Sequence, residues 1–306
     1  MEGILPEWLE QHKVDTGPGA YGDLEPELRA CLKSQIAFLF SHYGECRPEQ
    51  GRRSTWLERN IFEEESPVSW AMYIMAPDYA SGPGALAALM PALLAGVREI
   101  LICRVADSEP AARQPAKAVN FGALPLSISA ALELSGLDQV YDLDVTEATR
   151  LLGHLGTPSR GGDGRVVLLG SAPAKPLNSL MCEVVWSAMR LHIPAVSLPG
   201  RLKIAVDQFC SADYELLRWA HPQADIYTVE RGTLLEPCDA LVTDLPESFQ
   251  PGFRAMPGCG ADELPESRIS TAPQLSLQPG NEFLWLWNSI YPNFFRKRKF
   301  AICKGR

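Results

Sequence analysis

The chain has 306 residues, of which 46% are apolar and 21% charged, and its net charge at pH 7 is −9. This composition is that of a globular protein long enough for two domains, and the negative charge argues against nucleic acid and anionic membranes as partners. No apolar run reaches the roughly 18 residues that a membrane-spanning helix needs, and residues 1–10 lack the apolar core of a signal peptide. We therefore expect a cytoplasmic protein.

The first 65 residues predict a loop-rich beginning, one helix and an extended arm. Prolines and glycines interrupt residues 1–23. In Leu24–Tyr43 the apolar residues recur at helical spacing and share one face, which predicts an amphipathic helix. Thr55–Phe62 is rich in residues that favour extended structure and predicts the arm.

Residues 67–103 predict a strand, a loop, a helix and a second strand. The apolar run Trp70–Met75 precedes a loop of prolines and glycines, an apolar-faced helix begins near Ala85, and Glu99–Cys103 is apolar again. Such a βαβ unit builds nucleotide-binding sheets. Glycines before a helix either leave its N-terminus open to an anion or serve a tight turn. Asp78 beside them would repel an anion and favours the turn.

Strands and helices continue to alternate as far as Val229, and the strands Ile193–Leu198 and Leu202–Val206 predict a second sheet. Beyond Arg231 a proline follows about every seventh residue, which predicts an irregular tail without long helices. The tail ends in the aromatic run Phe283–Phe295, which must be buried either against its own domain or in a subunit interface. We interpret the basic residues Arg296–Lys299 as a solvated charge run.

Several segments resemble one family. The family pattern is matched by Pro67–Pro77, by the helix end Ala95-Gly96-Val97, by Ala130–Tyr141 and by Pro199–Asp207. Together they resemble the histidinol dehydrogenases, members of the aldehyde dehydrogenase superfamily, over roughly residues 24–229. The resemblance implies an α/β fold of two Rossmann-like domains with parallel sheets flanked by helices. It places a cofactor-type domain at residues 66–172 and a larger domain at residues 1–65 and 173–306.

The resemblance also implies two sets of site residues between the domains. Cofactor-binding positions are carried over onto Tyr73, Pro77, Gly82, Gly84 and Gly170. Substrate-binding positions are carried over onto Gly200, Arg201, Lys203, Arg218 and His221, whose cations suit an anionic small molecule. The family exchanges C-terminal elements in homodimers, so a homodimer through the aromatic tail is expected.

The chemistry of the family is largely missing from the sequence. Where its zinc-binding helix has a glutamine, this chain has Arg218, which carries no lone pair for a metal. His221 is the only remnant of the zinc ligands, and no histidine follows a glutamate as in the family's catalytic dipeptide. Asp142 and Asp144 stand where a pyrophosphate would need N–H donors. Zinc is therefore not expected, and NAD is an open possibility.

Three hypotheses follow. The favoured one is a small-molecule-binding or accessory paralogue that is not a competent histidinol dehydrogenase. The second is a divergent NAD-dependent oxidoreductase acting on a small alcohol, amino alcohol or aldehyde. The third is an aldehyde or acyl-CoA reductase with a cysteine nucleophile, for which Cys182 or Cys210 would need a lowered pKa.

Overall fold

The computed structural model describes residues 5–16, 19–44, 52–56, 59–105, 120–157, 163–170, 179–199, 201–230, 237–244 and 275–304. The α-helices are α1 Ala20–Asp23, α2 Pro26–Gly44, α3 Gly82–Ala95, α4 Leu126–Ser135, α5 Val145–Leu155, α6 Ser179–Arg190 and α7 Tyr214–Ala220. The strands are β1 Arg52–Trp56, β2 Arg59–Pro67, β3 Trp70–Met75, β4 Glu99–Val105, β5 Val140–Leu143, β6 Gly164–Leu169, β7 Ala195–Leu198, β8 Lys203–Asp207, β9 Asp225–Val229, β10 Ala240–Val242, β11 Leu275–Leu277 and β12 Arg296–Lys304. Short 3₁₀ helices cover Glu7–His12 and Pro292–Phe295.

The larger sheet is parallel, with the strand order β5-β4-β3-β6-β7. The chain starts at the centre with β3, moves outward through β4 and β5, and then returns to the other side of β3 as β6 and β7. This is the doubly wound arrangement, in which ligands bind at the carboxyl ends of the strands where the order reverses. That position lies between β3 and β6. The α/β fold class predicted from sequence is confirmed.

The second sheet, β11-β10-β8-β9, is also parallel and is smaller. The sequence interpretation assigned Ile193–Leu198 to this sheet, and that is wrong because β7 pairs with β6 in the first one. The first sheet therefore extends past residue 172 to Leu198. The amino-terminal 3₁₀ helix and the residues after it also lie on the first sheet, since the His12 ring contacts the Asp142 carbonyl and Val14 donates its N–H to the Val140 carbonyl.

The core lies around α3, between the first sheet, α2 and α4. All six residues of β3 are buried, as expected for a central strand covered on both faces. Nearly all of α3 is buried as well, which explains why it is apolar on every side. The predicted helix at 24–43 is confirmed as α2, which buries Leu32, Leu39 and Tyr43 against this core. Among the described residues, no helix is both long and apolar enough to cross a lipid bilayer.

The aromatic run packs against its own chain. Trp285, Trp287 and Phe295 are each at most 5% exposed. Gln35 of α2 fixes the run, because its amide donates to the Trp285 carbonyl at 2.8 Å and accepts from the Trp285 N–H at 3.0 Å. Of the two burial modes left open by the sequence, the structure shows the intramolecular one. A homodimer through this run stays a prediction, now without the exposed patch that motivated it.

The basic run at the end of the tail is part of a strand, and its Arg298 and Lys299 side chains are exposed, as expected of a solvated charge run. Arg296–Lys304 forms β12, which pairs antiparallel with all nine residues of β2, and β1 pairs with the other edge of β2. The Arg298 guanidinium lies 2.6 Å from the Glu65 carboxylate. Cations on β12 opposite acidic residues on β2 stabilise this pairing, a long-range match that the charge run alone did not reveal. The single extended arm predicted at 55–62 is wrong, because the chain reverses direction between β1 and β2 within that range. Both strands belong to this three-stranded sheet.

Candidate functional site

The crevice at the reversal of strand order lies beside Pro77 and Gly170. Ala76 donates its N–H to the Leu169 carbonyl at 3.1 Å, which holds the ends of β3 and β6 together. Pro77 and Gly170 are both partly exposed, and their contact with a cofactor stays a prediction. Residues 171–178, which continue from Gly170, lie outside the described residues.

The N-terminus of α3 is occupied by the chain itself. The Ser81 hydroxyl accepts from the Gly84 N–H at 3.0 Å and donates to the Ala220 carbonyl at 2.6 Å. Pro83 has no N–H, so little of the first turn is available to an anion. A Cβ on Gly82 would lie 2.6 Å from the Ser127 carbonyl oxygen, and one on Gly84 would lie 2.5 Å from the Tyr79 hydroxyl. Packing therefore explains both glycines, which supports the tight-turn interpretation over the anion site.

Tyr73 does not reach the crevice. Its side chain is fully buried, its hydroxyl donates to the Ala88 carbonyl at 3.0 Å, and its ring stacks on Phe295. The predicted cofactor contact of Tyr73 is therefore wrong, because residue 73 points from β3 into the interior beneath α3.

Among the described residues, only a small cavity remains between the two sheets. Its volume is about 10 Å³, which is room for about one water molecule. It is lined by Tyr79, Ser81, Pro199, Leu202, His221, Gln223, Ala224 and Trp287. The Trp287 indole N–H donates to the Gly84 carbonyl at 2.9 Å, and the Gln223 amide donates to the Asp78 carbonyl at 2.8 Å. The tail and the segment after α7 thus fill the described part of the space around His221.

His221 is buried at the end of α7 beside this small cavity. Its Nε2–H donates to the Glu282 carbonyl at 3.1 Å, and its ring lies 4.7 Å from that of Trp285. Burial lowers the pKa of His221 to about 4, so the imidazole is neutral at pH 7. Nowhere in the described part of the chain do three or more histidine, cysteine, aspartate or glutamate side chains form a group suited to a metal ion.

The predicted substrate cations do not converge on the cleft. Arg201 pairs with Asp225 at 3.1 Å on the surface, and Lys203 and Arg218 are exposed. None of the three lines the cavity that His221 lines. The expected cationic cleft is therefore wrong, because these side chains point to solvent. Gly200 lies outside the described residues.

A larger cavity, of about 390 Å³, lies at the carboxyl ends of β4 and β5. It is lined by Gln11, His12, Lys13, Val14, Asp15, Asn120, Gly122, Ala123 and Asp142. His12 is 4% exposed and lies between the Asp142 carbonyl at 3.2 Å and the Glu147 carboxylate at 3.4 Å. The sequence analysis missed this site because it treated residues 1–23 as a loosely ordered loop. A polar Gln11-His12 pair in such a segment gives no periodic signal.

Asp142 has a different role from the one predicted. Its carboxylate accepts two hydrogen bonds from Arg104, at 2.6 and 2.8 Å, and one from the Phe121 N–H at 2.9 Å. It is therefore a neutralised partner and does not present a free negative charge to a ligand. Asp144 caps α5 by accepting from the Glu147 N–H at 2.7 Å. The predicted repulsion of a pyrophosphate by Asp142 is therefore wrong, and Asp144 serves as a helix cap.

Comparison with known proteins finds a solved structure with a similar fold. No protein-family model matches the chain, and no curated protein sequence matches it. The crystal structure of histidinol dehydrogenase from Elizabethkingia anophelis is similar over 96% of this chain and 77% of that one, with a TM-score of 0.53 and 12% identity. The chain has the fold of histidinol dehydrogenase.

Two further structures are more loosely similar to the chain. An NADP dependent enzyme of E. coli covers 91% of this chain and 78% of its own, with a TM-score of 0.44 and 8% identity. Lactaldehyde dehydrogenase from Escherichia coli covers 70% of this chain and 40% of its own, with a TM-score of 0.34 and 14% identity. Neither likeness is close enough to carry an argument.

The lowered pKa of His221 predicts a loss of stability in acid. The unfolded chain binds a proton on this histidine below about pH 6.5, whereas the folded protein binds it only near pH 4. The unfolded state thus holds more protons in this window, so the free energy of unfolding falls as the pH falls. We expect His221 to account for about 2 kcal/mol of the loss between neutral pH and about pH 5.

Urea unfolding of the wild type and of His221→Gln at neutral pH and at about pH 5 measures the contribution of His221 to the loss of stability. The variant removes the titrating group, so its stability should fall by about 2 kcal/mol less than that of the wild type. Equal pH dependence in the two proteins would show that His221 is not buried as a neutral imidazole. His154→Gln, a change at a histidine on α5 away from the cleft, serves as the control.

Proposed function

We propose that this protein is a small-molecule-binding or accessory protein with the histidinol dehydrogenase fold, and that it does not oxidise histidinol. The observation that supports this is the filled space between the sheets, with about 10 Å³ left beside His221 and Trp287 hydrogen-bonded across it to Gly84. A dehydrogenase must bring a dinucleotide and a substrate together at this place. The described residues leave room for neither.

We place the ligand of such a binding protein in the 390 Å³ cavity, whose volume lies in the range of small-molecule sites. Its lining mixes cationic, anionic and amide side chains, and one of them, Asp142, is held in place by the buried Arg104. These groups suit a small polar molecule that donates and accepts hydrogen bonds. An anionic ligand, as predicted from sequence, would be oriented by Lys13 and His12.

The alternative is an NAD-dependent oxidoreductase for a small alcohol, amino alcohol or aldehyde. The observation in its favour is the doubly wound order of the first sheet, whose crevice beside Pro77 and Gly170 is where such sheets bind nucleotides. The first turn of α3 does not fit a pyrophosphate, because Ser81 and Pro83 leave it few free donors. This function would require Trp287 to leave the cleft.

A cysteine nucleophile is not supported at Cys210 or Cys103. Burial raises the pKa of Cys210, and its Sγ faces the Val242 carbonyl at 3.6 Å. Burial also raises the pKa of Cys103. A nucleophilic thiol needs the opposite shift. The side chain of Cys182 lies outside the described residues.

Thermal unfolding with NAD, zinc and histidinol, singly and together, tests the proposal. A ligand at 100 times its dissociation constant would add about 2.7 kcal/mol and raise the melting temperature by a few degrees. We expect no shift from any of the three and no reduction of NAD with histidinol. A shift with NAD followed by turnover would contradict the proposal and favour the oxidoreductase.

The variant Trp287→Ala distinguishes a cofactor site that is only blocked by this side chain from one that has lost its cofactor contacts. If only Trp287 blocks a nucleotide, this variant should gain a shift with NAD that the wild type lacks. Trp186→Ala, on the exposed face of α6, is the matched control because its indole is 65% exposed. No gain in either variant agrees with a cleft that has no remaining cofactor contacts.

A further inference from the structure

One wall of the 390 Å³ cavity is the segment 11–15, and the first sheet holds this segment in place. Lys13 forms an antiparallel bridge with Tyr141 of β5, and Val14 donates its N–H to the Val140 carbonyl at 2.8 Å. The segment supplies most of the described residues that line the cavity. Because its backbone is fixed before a ligand binds, the entropy cost of binding is lowered.

A second wall is the turn 120–123, which buried side chains hold in place. The Gly122 carbonyl accepts from Arg104 at 2.7 Å, and the Phe121 N–H donates to Asp142 at 2.9 Å. Since the Asp142 carboxylate also accepts two hydrogen bonds from Arg104, its charge is already compensated. The charges that a ligand meets in this cavity therefore come from the segment 11–15.

Two side chains on these walls offer hydrogen-bond donors. The Lys13 Nζ lies 3.9 Å from the Asp138 carboxylate, which is beyond hydrogen-bond distance. The Asn120 Oδ1 accepts from the Gly122 N–H at 2.7 Å, so this amide directs its NH₂ donors elsewhere. A ligand carboxylate suits such a pair, because it accepts hydrogen bonds from both and gains strength from the cation.

An acceptor of opposite charge stands close to Lys13 along the chain. Asp15 follows Lys13 by two residues and also lines the cavity, and in an extended chain their Cα atoms lie about 7 Å apart. Its carboxylate can accept several hydrogen bonds at once. Gln11, whose amide lies 3.1 Å from the His12 ring, adds a group that both donates and accepts. The lining thus offers separate places for a negative and a positive group.

We propose that this cavity binds a free α-amino acid with a polar side chain, an inference that rests on the proposed function. The ligand carboxylate lies against Lys13 and Asn120. Its ammonium group lies against Asp15, and its side chain hydrogen-bonds to the Gln11 amide. A simple anion would meet Asp15 and a simple cation would meet Lys13, whereas an amino acid compensates both charges.

The size and place of the cavity agree with such a ligand. Its volume lies near the lower end of the range of small-molecule sites, about 300–1,000 Å³, so an amino acid fits better than a dinucleotide. The site is distinct from the space around His221, because the described lining residues of the two cavities do not overlap.

Isothermal titration calorimetry of the full chain with the free L-amino acids tests the proposal. We expect at least one polar amino acid to bind. Its N-acetyl derivative and its carboxamide should each bind about tenfold more weakly or worse, because each lacks one of the two charges. An N-acetyl derivative that binds as tightly as the amino acid would indicate a simple anion site and overturn the inference. So would the failure of every free amino acid to bind at millimolar concentration.

Two variants assign the binding to this cavity. Asp15→Asn should weaken binding of the amino acid about tenfold and spare the weak binding of its N-acetyl derivative, whereas Lys13→Gln should weaken both. Asp23→Asn and Lys33→Gln are the matched controls, because they change charges outside the cavity. All four side chains are exposed, so each variant should keep the melting temperature of the wild type. Unchanged affinity in both cavity variants would overturn the inference.

The outcome for this ligand can be told apart from the outcome for the proposed function. If no amino acid binds and NAD is not reduced, only the ligand assigned here is wrong. If the protein reduces NAD and still binds an amino acid that depends on Lys13 and Asp15, the proposed function is wrong and the amino-acid site remains.

Discussion

We expect Asp142→Ala to lower the free energy of unfolding by about 3–5 kcal/mol, because the change leaves the Arg104 guanidinium buried without its counter-charge. Arg104 is 1% exposed at the end of β4, and two of its nitrogens donate to Asp142 on β5. The same carboxylate accepts a hydrogen bond from the Phe121 N–H, so this backbone group also loses its acceptor in the variant. Urea unfolding followed by tryptophan fluorescence measures the loss.

Two controls assign the effect to the buried pair. Asp138→Ala removes another aspartate paired with a cation, but this pair is exposed and its atoms lie 3.9 Å apart, so the cost should stay below about 1 kcal/mol. The double variant Arg104→Met, Asp142→Leu should be more stable than Asp142→Ala, because no charge is then buried alone. An Asp142→Ala cost as small as that of Asp138→Ala would show that Arg104 finds other partners or water.

The alternation of strands and helices could be predicted because it depends on local patterns. The apolar run of β3, the apolar helix α3 and the strands β4 and β6 each carry their own periodicity, and their order gives a parallel sheet. The family resemblance rests on the same apolar positions. For this reason the fold was predicted correctly although few polar site residues are shared.

The closure of the cleft could not be predicted because it depends on contacts between distant residues. Trp287 reaches Gly84 across 203 positions of sequence, and Gln35 reaches Trp285 across 250. The composition of the aromatic run predicted that it is buried, but the sequence did not indicate against which surface. Likewise, the basic run at residues 296–299 forms a strand with β2, whose acidic partners Glu65 and Glu64 lie 233 and 235 positions away along the chain.

The cofactor-binding roles assigned to Gly82 and Gly84 also could not be checked from the sequence, because the contacts of these glycines are with distant residues. Gly82 and Gly84 were assigned to cofactor binding by resemblance, but in the structure their missing side chains make room for Ser127 and Tyr79. A glycine before a helix therefore indicates a close approach without saying whether a ligand or the chain itself makes it. Only the atoms found next to the glycine in the structure show whether a ligand or the chain itself approaches it.

A glycine that the sequence did not single out predicts the second large effect. We expect Gly164→Ala to destabilise the fold by about 3 kcal/mol, at the upper end of the cost of overpacking a core. Gly164 begins β6 directly beside Trp70 of β3, and a Cβ built on it would lie 2.1 Å from the indole ring. The ring cannot move freely, because it is fully buried and its N–H donates to the Leu155 carbonyl at 3.2 Å.

The matched control is Gly153→Ala in α5. No atom lies within 4 Å of a Cβ at Gly153, so the methyl group meets open space and the helix gains about 0.5–1 kcal/mol from the better propensity of alanine. The same substitution should therefore have opposite signs at the two sites in urea unfolding. If Gly164→Ala were also neutral or stabilising, the Trp70 ring would have to lie elsewhere. The contact between β6 and the indole, which fixes the centre of the first sheet, would then need revision.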